Sequence, residues 1–417
     1  MRQLSRFLSV KTVFLFLLFL TMTISYRVEV GGLSFALIEP MALLASALLW
    51  VNRIASGRQL VVLKDPLVFI FVAITLWSIV IRPWSPDWRH GLSDIRDWVI
   101  PTLLFITLVS NIRLKWRQYI NLFLAVEIGL MILGLYQVKT DSFRPFLAPE
   151  AAYKRGFYSQ FNNSPVPSFA VGFFGHPGVF AEYLFVGLLI LIALSWQRWK
   201  WLRTLLVFGF IGAIFYTFSK TVLGSLPFAL LLFGVLTCSS RHFWTRVLFC
   251  LIVSGLLITG LLLVMRKSGS VTLDFGTFVW RIEQWQAGLS LLTLYPIVLL
   301  NGNGVDIGIL KGLLQGNPHN IYLFMLLQYG LMGLMLILAL VVAVFWQGFR
   351  AYKWGWMKQE PLLAGLWVAL IGLLVFGLFG TSLSYVEFRS IFAVVASLFI
   401  GLWHEKRWEN GRGLGTA

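Results

Sequence analysis

Apolar residues in this chain come in long runs separated by short polar segments, and neither period-2 alternation nor a helical stripe dominates. PLVFIFVAITLWSIVI, residues 66–81, is one such run. A bilayer core takes about 20 apolar residues per helix. Cut by that length, the sequence predicts an all-α polytopic membrane protein with about twelve transmembrane helices. They lie near 9–26, 32–51, 66–82, 98–111, 118–138, 170–195, 202–218, 221–238, 246–265, 320–346, 361–380 and 386–404. The first run is followed by no small-residue cleavage site, so it is expected to remain as a span.

The polar segments differ in charge. One alternate set carries Arg2, Arg6 and Lys11; Arg53, Arg58 and Lys64; Arg113, Lys115 and Arg117; Arg198, Lys200 and Arg203; Arg241 and Arg246; Arg350, Lys353 and Lys358; and Lys406, Arg407 and Arg412. The other set is mixed, as in Asp87, Arg89, Asp94, Arg96 and Asp97. Basic loops stay in the cytoplasm, so both termini are expected inside. Two long segments, 139–169 and 266–319, then fall on the outer side, and segments of that length are often functional. The whole of 1–417 is expected to form a single integral membrane domain, with 266–319 a long outer loop that carries an amphipathic helix.

Composition agrees with the pattern. Of 417 residues 58% are hydrophobic and 12% charged, and mean hydropathy is +0.81, more apolar surface than a soluble domain can hide. The net charge of +17 would suit nucleic acid, but the basic residues sit in clusters between spans, so no nucleic-acid partner is expected. Cys238 and Cys250 show neither metal spacing nor a disulfide framework.

The stretch GNPHNIYLFMLLQYGLMGL, residues 316–334, carries the first candidate chemistry. Asn317 is a suitable N-cap and Pro318 suits the first helical position, which predicts His319 and Asn320 in the first turn. Free N–H groups and the helix dipole there favour a neutral, base-competent imidazole and attract an anion. Upstream, Phe278, Ile282, Trp285, Leu289 and Leu292 form an apolar stripe with Arg281 at its flank. Arg281 can fork onto a diphosphate at headgroup depth, or snorkel to lipid phosphates. Pro296 and the Gly302–Gly304 pair mark a turn. Lys220, in the short YTFSKTVLGSL turn, either binds an anion or snorkels. His176 in GFFGHPGVFAEYLF, with Lys154 and Arg155 before it, is a weaker candidate for the lining of a site.

Glu39, Glu127 and Glu182 fall inside predicted spans and raise proton-coupled export of a lipid-linked saccharide as a rival function. Glu39 and Glu182 lie near span ends, where capping explains them; Glu127 lies deeper. The sequence contains no Walker, HExxH or GxSxG motif, and the outer segments hold no DxD pair. Chemistry on that side is therefore expected to use Arg, Lys and His, without cofactor, metal or nucleotide.

In their order these pieces resemble the O-antigen ligase family, which is related to the O-antigen and exopolysaccharide polymerases. The likeness rests on FSKTVLGSL, on R-x-x-x-W from Arg281 to Trp285 running to P-x(5)-G-x-G, on PHNIYLFMLLQYGLMGL, and on GHPGVFAEYL upstream. It covers the second half of the chain and the span layout. It implies an inverting glycosyltransferase on the outer face of a bacterial inner membrane. The donor would be a glycan on undecaprenyl diphosphate; the acceptor would be a lipid or saccharide hydroxyl. The implied base on the acceptor is His319, and Arg281 would hold the diphosphate. The family commonly has arginine in the turn where this chain has Lys220, which keeps the charge and loses the bidentate fork. Ligase and polymerase differ in acceptor, and these residues do not choose between them.

Overall fold

Prolines and acidic caps set where several helices begin. In the computed structural model Asp65 accepts a hydrogen bond from the Leu67 N–H at 3.0 Å, and Pro66 and Pro361 occupy first helical turns, where a missing N–H costs nothing. The structure describes residues 10–24, 27–30, 33–55, 65–86, 88–112, 116–140, 170, 172–173, 177–194, 199–217, 219–237, 276–314, 318–380 and 386–413, with single positions between 248 and 259. Its helices are α1 Val10–Thr21, α2 Ile38–Ala55, α3 Pro66–Ile81, α4 Trp88–Ile112, α5 Trp116–Thr140, α6 Pro177–Ala193, α7 Lys200–Phe215 and α8 Lys220–Thr237. They continue with α9 Gly276–Leu294, α10 Val298–Asn301, α11 Gly304–Leu310, α12 Ile321–Lys353, α13 Trp356–Gln359, α14 Pro361–Phe379 and α15 Val386–Gly413.

Six stretches among the described residues are long and apolar enough to cross a membrane: Pro66–Trp84, Trp116–Thr140, Lys220–Thr237, Ile321–Lys353, Pro361–Phe379 and Val386–Trp408. The protein is helical and membrane-embedded. Helices α6 and α14 are apolar on all sides and buried, the signature of central helices, and α15 is buried from Val386 to Trp403 although it carries Glu387 and Arg389 there. On α3, α8 and α12 exposed Phe69, Phe228 and Val342 face outward, as lipid contact requires. The predicted span 246–265, apart from single helical positions at 248, 252, 255 and 259, and the segment 141–169 lie outside the described residues.

Several predicted edges move, and the span expected at 98–111 begins already at Trp88. Between α1 and α2 the chain forms a β-hairpin, β1 Arg27–Val30 with β2 Leu33–Ala36, so helix starts at Ile38 and not near 32. RVEV and LSFA flank Gly31–Gly32, a sequence suited to a two-residue hairpin turn. Helix α6 starts at Pro177, not 170. The predicted span 320–346 extends to Lys353 and is broken at Gly330, whose φ is 68° and ψ −170°.

That break redirects the helix. Trp367 donates to the Val344 carbonyl at 2.9 Å, and Tyr322 donates its hydroxyl to the Leu374 carbonyl at 3.2 Å. From Val344 back to Tyr322 a straight helix would climb about 33 Å, yet from Trp367 to Leu374 α14 climbs only about 10 Å. The segment before Gly330 therefore turns across the end of the bundle. Its carbonyls find new donors: the Asn303 N–H bonds Gln328 O at 3.0 Å, and the Trp77 indole bonds Tyr329 O at 2.7 Å. Gly302, at φ 69°, lets its backbone lie against the Gln328 carbonyl, where any Cβ would overlap it.

A buried ionic cluster closes over the break. Arg82 pairs with Asp94 and reaches Asp306 at 3.7 Å and Asn303 Oδ1 at 3.1 Å. Gln328 Nε2 donates to Asp94 at 2.8 Å and to Asp306 at 3.1 Å. The guanidinium lies 5.1 Å from the Tyr329 ring centre, and the Tyr329 hydroxyl accepts from Trp98 at 3.0 Å. One arginine thus joins the end of α3 to α4, α11 and the break in α12.

Two stability tests follow from this packing. Gly302→Ala is expected to cost about 1–3 kcal/mol through overlap. Gly312→Ala, also at positive φ but facing open space, should cost only the left-handed strain of about 1 kcal/mol. Thermal unfolding in detergent reads the order, and equal losses would refute the close approach. Arg82→Met, which strands two carboxylates, should lower stability by about 3–5 kcal/mol. A Tm within a degree of wild type would show that the cluster carries no such weight.

Candidate functional site

The candidate site is the lip at residues 318–320, ahead of α12. Its helix start differs from the expectation. The N-cap is Asn320, not Asn317: its Oδ1 accepts from the N–H groups of Tyr322 and Leu323, both at 3.0 Å. His319 therefore sits outside the first turn, and two of the N–H groups expected to attract an anion are already occupied. Asn320 wins because its extended backbone, φ −151° and ψ 115°, directs the amide oxygen onto both donors. His319 itself is left-handed, with φ 50°, a conformation uncommon outside glycine.

Helix α9 holds the lip in that shape. The Trp285 indole donates to the Pro318 carbonyl at 2.7 Å. One turn earlier Trp280 meets the His319 ring edge to face, 5.0 Å between centres. The next residue is Arg281, half-exposed and close enough for its charge to act on the imidazole. The structure thus brings Arg281, His319 and Asn320 to one place. The buried line of α9 is not the predicted stripe. Gln284, Gly288 and Leu291 are buried while Leu289 is exposed, because Gly288 lets Leu327 and Leu323 approach closely.

His319 is half-buried, and its pKa falls from 6.5 to about 4. Burial, which penalises the charged ring, is the larger cause; the positive Arg281 adds to it. At neutral pH the imidazole is uncharged and can accept a proton. The arrangement combines a cation for an anionic group with a base for a hydroxyl, both beside apolar surface.

The remaining candidates are not drawn in. Lys220 is exposed at the start of α8, with no hydrogen-bond or ion-pair partner among the described residues, and no contact there joins it to the lip. His176, Lys154 and Arg155 lie outside the described residues. Glu39 is explained structurally: it accepts from the Ala36 N–H at 2.8 Å and pairs with Arg96 at 2.8 Å. Glu182 is buried near the start of α6. Glu127 is buried in α5 against Gly187, and neither carboxyl oxygen has a hydrogen-bond partner among the described residues. Among those residues no three His, Cys, Asp or Glu side chains gather as metal ligands.

Sequence reading passed over Trp280, although its place beside Arg281 was a usable signal. It also passed over the ionic cluster, whose members stand at 82, 94 and 306 and share no local pattern. No family model and no curated protein matches the chain.

NMR titration of labelled histidine should place His319 near pH 4, well below the ordinary 6.5. Arg281→Gln should raise that midpoint and still leave it below 6.5, since burial persists. Because the folded form holds this proton less tightly than the unfolded chain, the contribution of His319 to stability is complete above about 6.5 and is lost as pH falls towards 4. A midpoint at or above 6.5 in the folded protein contradicts the burial account.

Proposed function

We propose that the protein is a membrane glycosyltransferase of the O-antigen ligase and polymerase type, moving a glycan from undecaprenyl diphosphate to an acceptor hydroxyl. One juxtaposition carries this reading: the Arg281 guanidinium beside the uncharged His319 imidazole, on a lip outside a membrane-length helix. The basic clusters between apolar runs support a twelve-span layout with both termini in the cytoplasm of a bacterial cell. The lip and the 266–319 segment then belong to the outer face of the inner membrane, away from nucleotide donors.

The chemistry asks little beyond what these residues offer. The donor diphosphate is already a leaving group. His319 takes the proton from the acceptor hydroxyl as its oxygen bonds to the anomeric carbon. The bond from that carbon to the diphosphate oxygen breaks, and Arg281 stabilises the charge that develops there. A single displacement inverts the anomeric centre. No nucleotide, metal or cofactor enters.

One observation favours a second reading. Glu127, buried with both oxygens unpartnered among the described residues, suits a proton-coupled exporter of lipid-linked saccharide.

The deciding assay is glycan transfer by purified protein in detergent, with lipid-linked glycan and without nucleotide or metal. His319→Ala should lose about 10²–10⁴-fold in rate, the usual share of a general base. Arg281→Gln should chiefly weaken use of the donor. Equal rates in wild type and His319→Ala remove His319 as the base. Folded protein that transfers to no acceptor, yet moves lipid-linked saccharide in a manner dependent on Glu127 and on a proton gradient, makes the exporter the correct reading.

A further inference from the structure

At the end of the bundle opposite the lip, three tryptophans meet where α12, α13 and α15 converge. Ring centres of Trp354 and Trp356 are 4.5 Å apart; Trp403 lies 6.3 Å from Trp354, nearly parallel to it, and 6.0 Å from Trp356. Two arginines sit on this surface. The Arg350 guanidinium carbon is 4.5 Å from the Trp354 centre and 5.8 Å from that of Trp403, and Arg407 is 5.6 Å from Trp403. The two guanidiniums therefore share one indole and stand no farther apart than those last two distances together.

Neither arginine has a carboxylate within ion-pair distance among the described residues. The nearby acid is spent: Asp65 accepts from the Leu67 N–H and from Gln347 at 3.1 Å, and its other oxygen faces His404 at 3.1 Å. Exposed Lys353 and Lys358 add positive charge around the surface, and Glu360 and Glu405 pair with neither arginine there. Arginines that only marked the loop as basic would need no ring beneath them. A guanidinium resting on an indole keeps its N–H edge available, and that edge matches the oxygens of a phosphate.

We propose that Arg350 and Arg407, held on Trp354 and Trp403, bind the phosphate of an anionic phospholipid headgroup. Three features select a lipid. The surface caps the ends of two membrane-length helices, α12 and α15. Its exposed Trp354 and neighbouring Trp408 suit the bilayer–water boundary. Basic clusters between membrane helices attract anionic headgroups by charge. The site is independent of the transferase reading and lies at the other end of the bundle.

The test is native mass spectrometry and thermal unfolding of purified protein with phosphatidylglycerol, with phosphatidylcholine of the same chains, and with inorganic phosphate. Wild type should retain phosphatidylglycerol and gain in Tm with it alone. Arg350→Gln with Arg407→Gln should bind it about tenfold or more weakly, the loss expected for two basic residues at a membrane surface. Lys353→Gln with Lys358→Gln, a control that removes the same charge from residues with no ring contact among the described residues, should lose clearly less than the arginine pair. If the arginine variant fails to fold, Arg350→Lys with Arg407→Lys replaces it and should bind more weakly than wild type. Equal shifts with both lipids, retention by the arginine variants, or equal losses in the lysine control overturn the proposal. A Tm gain from inorganic phosphate equal to that from the lipid assigns the site to a soluble phosphate and overturns the lipid.

Discussion

A helix that breaks inside a membrane protein leaves carbonyls without partners, and hydrocarbon offers none. That requirement organises the lip end of this molecule. Gly330 ends the regular ladder of α12, and the strap through Gly302 and Asn303 must come close enough to supply an N–H. Trp77 supplies the second donor from α3. With the backbone satisfied, the first part of α12 can lie across the end of the bundle. The lip carrying His319 is then held beside α9 and does not project from the bundle as the free end of a straight helix.

The break also explains a costly cluster. Arg82 is buried with the half-buried carboxylates of Asp94 and Asp306 beside it, and a buried ion pair is weak evidence for stability alone. Here the charges fix direction. Asp94 comes from α4, Asp306 from α11, and Gln328 from the last turn before the break, so the strap has one register against the bundle. Aromatic rings close the surroundings: Tyr329 lies under Arg82, and Trp98 lies between Tyr329 and Arg389, whose guanidinium carbon is 4.3 Å from its ring centre. Removal of one charge would leave the others without compensation, so the cluster acts as a unit.

Span positions were legible because an uncharged run such as 66–81 has few alternatives in water, and α3, α8 and α14 fall close to their expected ranges. Arg281 and His319 were each singled out by the segments that carry them, and only the family resemblance joined them in one site. The rest was hidden for identifiable reasons. Gly330 stands in an apolar run that reads as continuous helix, and only its positive φ and the approach of the Leu299 and Leu300 carbonyls show why it is glycine. Asn317 and Asn320 are equally good caps by residue type, so three-dimensional geometry had to choose. The inward face of α9 could not be read from residue type, because Gly288 and Gln284 count as weak positions in a hydrophobic stripe, although Gly288 gives a close approach to Leu323 and Leu327 of α12.

The low pKa of His319 bears on the proposed reaction. An imidazole that holds a proton only below about pH 4 is always available as a base, yet it is a weak one at neutral pH. Burial and Arg281 both act in this direction, and only the second can be relieved by a ligand. A diphosphate seated against Arg281 would place negative charge where the guanidinium now repels a proton. The basicity of His319 would then rise as the donor binds. Under this scheme the empty site keeps its base uncharged and poorly reactive, and the donor itself completes the catalytic pair. The arginine would serve twice, first as the anchor for the leaving group and then, once neutralised, as the reason the neighbouring ring can take the acceptor proton.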